Sequence, residues 1–195
     1  MELEKLLISG RKIRVCGFDD AHYADKTPGS PVNVAGIICS NTQFEGMVWG
    51  EIEKDGTDAT EMMAKILLES KFMAQVQIVL LDGVTFGGCN VVNIRDLHQR
   101  LQVPVVAVMR KHPDLEKFRF VIERFPDSAE RWQSIEDAGP IHELNEFVFQ
   151  VVGLKPELTS RILKRLTDQG KVPEALRVAH LIGSAIKLGI SGKRA

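Results

Sequence analysis

Two aspartates stand where strand-like runs end. Asp19 follows the run Lys12 to Phe18, and Asp82 follows Val76 to Leu81, the most apolar run in the chain. By the two-residue period of a strand, Asp19 shares a face with Ile13, Val15 and Gly17. Open sheets collect ligands beyond the carboxyl ends of their strands. If the two runs are neighbours, both carboxylates meet at one rim. Paired anions taken out of water repel, and they require a cation, a shared proton or water. A hard divalent cation such as Mg²⁺ matches carboxylate oxygens. The competing reading makes each Asp simply the first residue of a turn.

Other residues could join that rim. Asp58 precedes a helical stripe with Glu61 three positions on, the spacing of a capping box. A carboxylate has two oxygens, so a cap can also be a ligand. In the last helix Arg177, His180, Ser184 and Lys187 follow a 3, 4, 3 spacing on one face, with Val178, Leu181, Ile182, Ala185 and Ile186 as the apolar surface. His180 on that face is a base, a metal partner, a phosphate contact or part of a solvated stripe. Arg110 and Lys111 end a short strand beginning at Pro104 and either reach the rim or stay in solvent. The loop Asp82-Gly83-Val84-Thr85-Phe86-Gly87-Gly88 could offer backbone N–H groups to phosphate. It has neither P-loop nor dinucleotide spacing, and a tight turn explains it as well.

The elements that must position these groups are readable from periodicity. Lys12 to Phe18, Val32 to Cys39 and Phe44 to Glu53 alternate as three strands in quick succession, which predicts an antiparallel meander. Met62, Met63, Ile66 and Leu67 mark a helix over about Asp58 to Ser70. Val76 to Leu81 reads as a strand covered on both faces, followed by a helix near Val91 to Leu101 and a strand from Pro104 to Met109. Helix and irregular structure are expected over His112 to Ala138, then a strand at Glu146 to Val152. Helices at Pro156 to Gln169 and Pro173 to Leu188 close the chain. This order predicts an α/β fold with a mixed sheet, antiparallel meander plus parallel strands, and helices on its faces.

The chain has 195 residues, 25 basic and 26 acidic, for a net charge of -1, and 44% are hydrophobic. That length and apolar content predict one domain over residues 1–195. They exclude an acidic disordered chain, and the charge excludes a uniformly basic nucleic-acid binder. The balance is uneven along the chain: residues 161–195 carry 8 basic and 2 acidic side chains, while residues 112–150 carry 4 and 9. A local phosphate-binding face near His180 is compatible with this. No run approaches the roughly 20 apolar residues of a membrane span. No apolar run precedes a small-residue cleavage site, so the expected location is cytoplasmic. Cys16, Cys39 and Cys89 lack metal-ligand spacing and read as small hydrophobes in a reducing compartment.

The segments RKIRVCGFDDAHY, DGTDATE, VLLDGVTFGGCNVV and PVVAVMRKHPDLE resemble the mainly archaeal domain-of-unknown-function family 99 over nearly the whole chain. That family is regarded as related to endonuclease V, which is ribonuclease H-like in fold. Endonuclease V cleaves a phosphodiester near deoxyinosine in DNA or inosine in RNA with Mg²⁺ or Mn²⁺. The resemblance implies a ribonuclease H-like mixed sheet and a metal-dependent nuclease, a hydrolase with nucleic acid as partner. Its Gly-hydrophobic-Asp pattern falls on Gly17-Phe18-Asp19, and its Asp-Gly on Asp82-Gly83. These would be two metal ligands. Its pre-helix glutamate falls on Asp58, a shorter acid, so Asp55 and Glu61 stay open as substitutes. Its strand-ending lysine falls on Arg110, with Lys111 adjacent but pointing the other way by alternation. Its late Pro-Glu-Pro-x-Arg-x-Ala-(Asp/His) pattern falls on Pro173 to His180 and makes His180 the fourth group. The Pro-Gly wedge of endonuclease V is missing, and so is its His-Pro-Arg after Asp-Gly; Val84-Thr85-Phe86-Gly87 stands there. Inosine specificity is therefore not carried over, and a non-catalytic nucleic-acid or protein-binding module on the same fold is the competing expectation.

Overall fold

The computed structural model describes residues 2–191. Lys193 and Arg194 of the basic C-terminal stretch lie outside the described residues. In chain order the elements are α1 (Glu2–Ile8), β1 (Arg14–Asp20), β2 (Pro31–Ser40), β3 (Gln43–Glu53), α2 (Ala59–Leu68), β4 (Ile78–Asp82), β5 (Thr85–Phe86), β6 (Asn90–Val91) and α3 (Ile94–Leu101). There follow β7 (Val105–Met109), α4 (Leu115–Ile122), α5 (Ser128–Asp137), β8 (His142–Leu144), β9 (Phe147–Val152), α6 (Pro156–Arg165) and α7 (Glu174–Leu188). Seven strands form one sheet in the order β3-β2-β1-β4-β7-β9-β8. β1, β2 and β3 are the expected antiparallel meander, whereas β1, β4 and β7 run parallel. β9 returns antiparallel to β7.

Strand alternation sends successive side chains to opposite layers. From β1 and β4, Cys16, Phe18, Val79 and Leu81 pack against Met63 and Leu67 of α2 and Leu97 of α3. Val15, Ile78 and Leu80 point the other way, onto Leu176 and Ala179 of α7 and Ile162 and Leu163 of α6. Both faces of the parallel strands are thus dry, which explains their unbroken apolar sequences.

Three local features depart from the sequence reading, while the stretch 112–138 is helical and irregular as expected. The Gly-rich loop does not run directly into a helix but folds as the two-residue hairpin β5–β6, because Gly87 and Gly88 hold φ of +52° and +94°. The stretch 112–138 contains two short helices, packed through Phe118, Ile122, Trp132 and Ile135. α1 and β8 have too few residues to show a period; α1 is held by burial of Leu3 and Leu6. The buried side of α7 is Ala175, Leu176, Ala179 and Gly183 rather than the larger residues on the neighbouring side, and Ile186 is 56% exposed. Small residues prevail because α7 lies almost on the backbone of β1. A Cβ on Gly17 would stand 2.8 Å from the Ala175 Cβ.

The cysteines are free, with Cys16 and Cys39 buried. Among the described residues, no helix is long and apolar enough to cross a membrane.

Candidate active site

The parallel pairing of β1 with β4 sets Phe18 beside Leu81, so Asp19 and Asp82 occupy the next rung. Asp19 still pairs with Ala35 in the ladder to β2, so it belongs to the strand and does not open a turn. Both carboxylates lie on the face covered by α7, at the carboxyl ends of adjacent strands. Asp82 pairs in turn with Val108 of β7, and Arg110, two residues on, returns to the same side. Its Nη2 donates to Asp82 Oδ2 at 3.3 Å. Lys111 is exposed, and its charge acts on Asp114, away from the pair.

α7 contributes His180, whose Nδ1 is 3.0 Å from Asp19 Oδ2. The polar stripe inferred from spacing therefore divides. His180 turns to Asp19, Arg177 pairs with Glu174, Ser184 is buried and Lys187 is exposed. The Gly17 contact permits this reach, since any side chain there would lift the helix that carries His180.

Asp20 is the acid that sequence reasoning passed over, although it directly follows Asp19. Alternation points it to the opposite face, where its Oδ2 accepts the Gly87 N–H at 2.6 Å. The hairpin glycine amide thus serves Asp20, and the Gly83 N–H serves the Val108 carbonyl. Neither is free for phosphate.

Charge is unbalanced here. Burial pushes the Asp20 carboxyl up to about 6, against the pull of the Gly87 N–H, and the negative charges of Asp19 and Asp82 add to the rise. Burial also raises Asp82, the Asp19 charge adds to that, and Arg110 and His180 oppose it. His180 is raised, first by its hydrogen bond to Asp19. Three carboxylates, an imidazole and a guanidinium thus sense one another at one rim.

The remaining candidate acids are engaged elsewhere. The Asp58 carboxylate accepts the Glu53 N–H at 3.2 Å and the Asn90 amide at 2.6 Å, and it makes no cap bond to α2. The expected capping box is absent: Asn90 Oδ1 accepts the Ala59 N–H instead, and Glu61 is exposed. Asp55 pairs with Lys54 and accepts the Cys89 N–H. Arg131, also unanticipated, ties this region together. It is buried, and its guanidinium donates to the carbonyls of Asp55, Gly56 and Cys89 and to Asp127. Among the described residues, no three His, Cys, Asp or Glu side chains are arranged to hold a metal ion as they stand.

A seven-stranded mixed sheet with acids at the ends of adjacent parallel strands places the chain in the ribonuclease H-like class, and the solved structures agree. Endonuclease V of Ciona intestinalis, crystallised with a 24mer DNA containing an inosine, superposes with a TM-score of 0.59 at 14% identity, covering 96% of this chain and 95% of that one. Human endonuclease V gives a TM-score of 0.56 at 14% identity over 93% and 86%. A protein of unknown function from Archaeoglobus fulgidus is far more similar, with a TM-score of 0.85 and 34% identity over 90% and 98%. The UPF0215 protein of Methanothermobacter thermautotrophicus is 36% identical over 184 residues, 92% of this chain and 90% of its own. The family described as Endonuclease dU matches residues 11–187, and the chain belongs to that family.

Proposed function

We propose that the protein is a divalent-metal-dependent nuclease that hydrolyses a phosphodiester at the Asp19–Asp82 rim. The observation that carries this reading is the adjacency of Asp19 and Asp82 on neighbouring parallel strands, with His180 and Arg110 on their outer oxygens. Nuclease chemistry is also what the family's description names.

The donor set fits a small hard cation. Mg²⁺ typically takes only one or two carboxylates and completes its shell with water and substrate phosphate. Asp19 and Asp82 supply that pair, and Asp20, on the next residue, supplies a third acid within electrostatic range of both. Asp58, held by the Glu53 N–H and the Asn90 amide, and Asp20, held by the Gly87 N–H on the opposite face, would each have to give up a bond to serve as a third ligand. Such an ion polarises a phosphoryl oxygen and lowers the pKa of a bound water.

The chain's own groups do the rest. Asp19 fixes the His180 ring through Nδ1, leaving Nε2 as the atom that exchanges a proton with the leaving or attacking oxygen. Arg110, half exposed, carries a permanent positive charge next to Asp82 and can share it with an incoming phosphate. Lys111 would act only at longer range. Deoxyuridine-containing DNA is the first substrate to try, because the family's description names it.

Two measurements test this. Mn²⁺ titrated calorimetrically should give heat with wild type and none with Asp82→Ala; equal heats would remove the metal site. A scan of Mg²⁺ and Mn²⁺ against single- and double-stranded oligonucleotides carrying deoxyuridine, deoxyinosine or neither should give metal-dependent cleavage. A second reading, a non-catalytic binding module, rests on the observation that among the described residues no three ligating side chains converge as they stand. Binding without cleavage under every metal would establish that reading.

A further inference from the structure

α7 runs in the same direction as β1 and outlasts it. Ala175 lies against Gly17, His180 meets Asp19, and Gly183 packs on Ala21, the first residue past β1. A Cβ added at Gly183 would stand 3.0 Å from the Ala21 Cα. The helix then continues to Leu188, about 7.5 Å further at 1.5 Å per residue. Its last turn therefore overhangs the rim that holds Asp19 and Asp82. Ser184 and Lys187 follow His180 at one and two turns on the same face. Ser184 is 7% exposed, yet its Oγ makes no hydrogen bond among the described residues. Ser40 Oγ is the fully enclosed side-chain atom in that condition, so Ser184 Oγ keeps an opening to the space before it. The ion pairs of α7 among the described residues are Arg177 with Glu174 and His180 with Asp19, which leaves the exposed Lys187 unpaired. A buried hydroxyl without a partner and a free ammonium, one turn apart over the rim, form a site for an anion.

We propose that Ser184 Oγ and the Lys187 ammonium hold the backbone phosphate next to the one at Asp19 and Asp82, so that α7 sets the register of the strand. The inference rests on the nuclease reading for the phosphate at the rim. One helical turn rises about 5.4 Å, comparable to the step between successive phosphates of a strand. Neighbouring phosphates can therefore face His180 and Ser184 together. The hydroxyl donates a directional bond to a phosphate oxygen, and the ammonium adds a point charge. Contacts of this kind position a strand without reading its bases. Register matters to the chemistry, because hydrolysis needs one P–O bond in line with the attacking water. Arg110 reaches Asp82 from β7, across β4 from α7, so the two cations flank the acids. Flanking charges let a chain with a net charge of -1 hold a polyanion locally.

The test needs no metal and no cleavage. In EDTA, fluorescence anisotropy would follow binding of a single-stranded oligonucleotide over a range of NaCl concentrations. For single strands log K falls with log[salt] by about 0.7 for each phosphate neutralised. Lys187→Met should make that slope shallower by about 0.7. Lys65→Met, an exposed lysine of α2 on the opposite layer, should leave it unchanged. Ser184→Ala removes a bond to a charged group but no charge, so it should weaken binding about tenfold at every salt concentration and keep the slope. Lys187 is exposed and Ser184 has no bond to lose, so both variants should retain native circular dichroism. Wild type that does not bind, an unchanged slope in Lys187→Met, an equal change in Lys65→Met, or undiminished affinity in Ser184→Ala would overturn the assignment. The expected slopes in a protein that cleaves under none of the metals would sink the nuclease reading and leave the phosphate site standing.

Discussion

Asp20 and Gly87 are 67 residues apart in the chain, yet the Gly87 N–H donates to Asp20 Oδ2 at 2.6 Å, tying the end of β1 to the β5–β6 hairpin. One short bond does not offset the burial of the charge, and the carboxyl is pushed up to about 6 from 3.8. An acid raised in the folded state contributes stability that is full below its unfolded value and lost as pH rises through the folded one. Between about pH 4 and pH 6 the metal-free protein should therefore weaken by about 2 kcal/mol from this group alone. Asp20→Asn should be more stable than wild type at neutral pH and equal to it near pH 4. Urea denaturation in EDTA at both values checks this; no gain at neutral pH would contradict it.

His180 should have the opposite chemistry but the same sense of pH dependence. Its bond to Asp19 raises it above its ordinary 6.5. The pair's stabilisation is complete below the unfolded value and fades as pH climbs through the raised folded one. The gap in unfolding midpoint between metal-free wild type and His180→Gln should be widest near pH 5.5 and close towards pH 9. A gap independent of pH would show that the imidazole is not charged against Asp19.

Gly17→Ala tests the approach of α7. The added methyl would meet Ala175 Cβ at 2.8 Å and the Ala175 carbonyl carbon at 2.9 Å, both rigidly placed. Overpacking of this kind costs about 1–3 kcal/mol. It should also lift His180 from Asp19, so the raised His180 titration, followed by NMR, should fall towards the ordinary histidine value. A stable variant with unchanged His180 titration would show that close packing at Gly17 is not what sets the contact.

Arg131→Met keeps the aliphatic stem but removes the donors to Asp55, Gly56 and Cys89. Buried carbonyls left without partners should cost about 2–4 kcal/mol in total. Because the same segment carries Gly87, its amide should exchange with solvent faster in this variant. Unchanged protection at Gly87 would separate Arg131 from the hairpin.

Much of this molecule could be read locally. The meander, the buried β4 and β7 and the closing helices followed from periods of two and three to four residues, which depend only on near neighbours in the chain. Asp19 and Asp82 were legible for the same reason, since each ends an apolar strand. The late Pro173 to His180 pattern pointed to His180 before its partner was known.

Tertiary structure decided which of these groups meet. The β1–β4 register set Asp19 beside Asp82. The lack of a side chain at Gly17 let α7 bring His180 to Asp19, and the small-residue face that packs there could not be told from its larger neighbours by hydrophobicity. Asp58 looked like a cap from spacing, but a partner 32 residues away, Asn90, claimed it. Asp20 was passed over beside Asp19, because its partner, the Gly87 N–H, comes from a hairpin on the opposite face. Side-chain period is a property of a few consecutive residues. Pairing register, helix approach and hydrogen-bond partner are settled by distant segments competing for the same space, and no local pattern records the outcome.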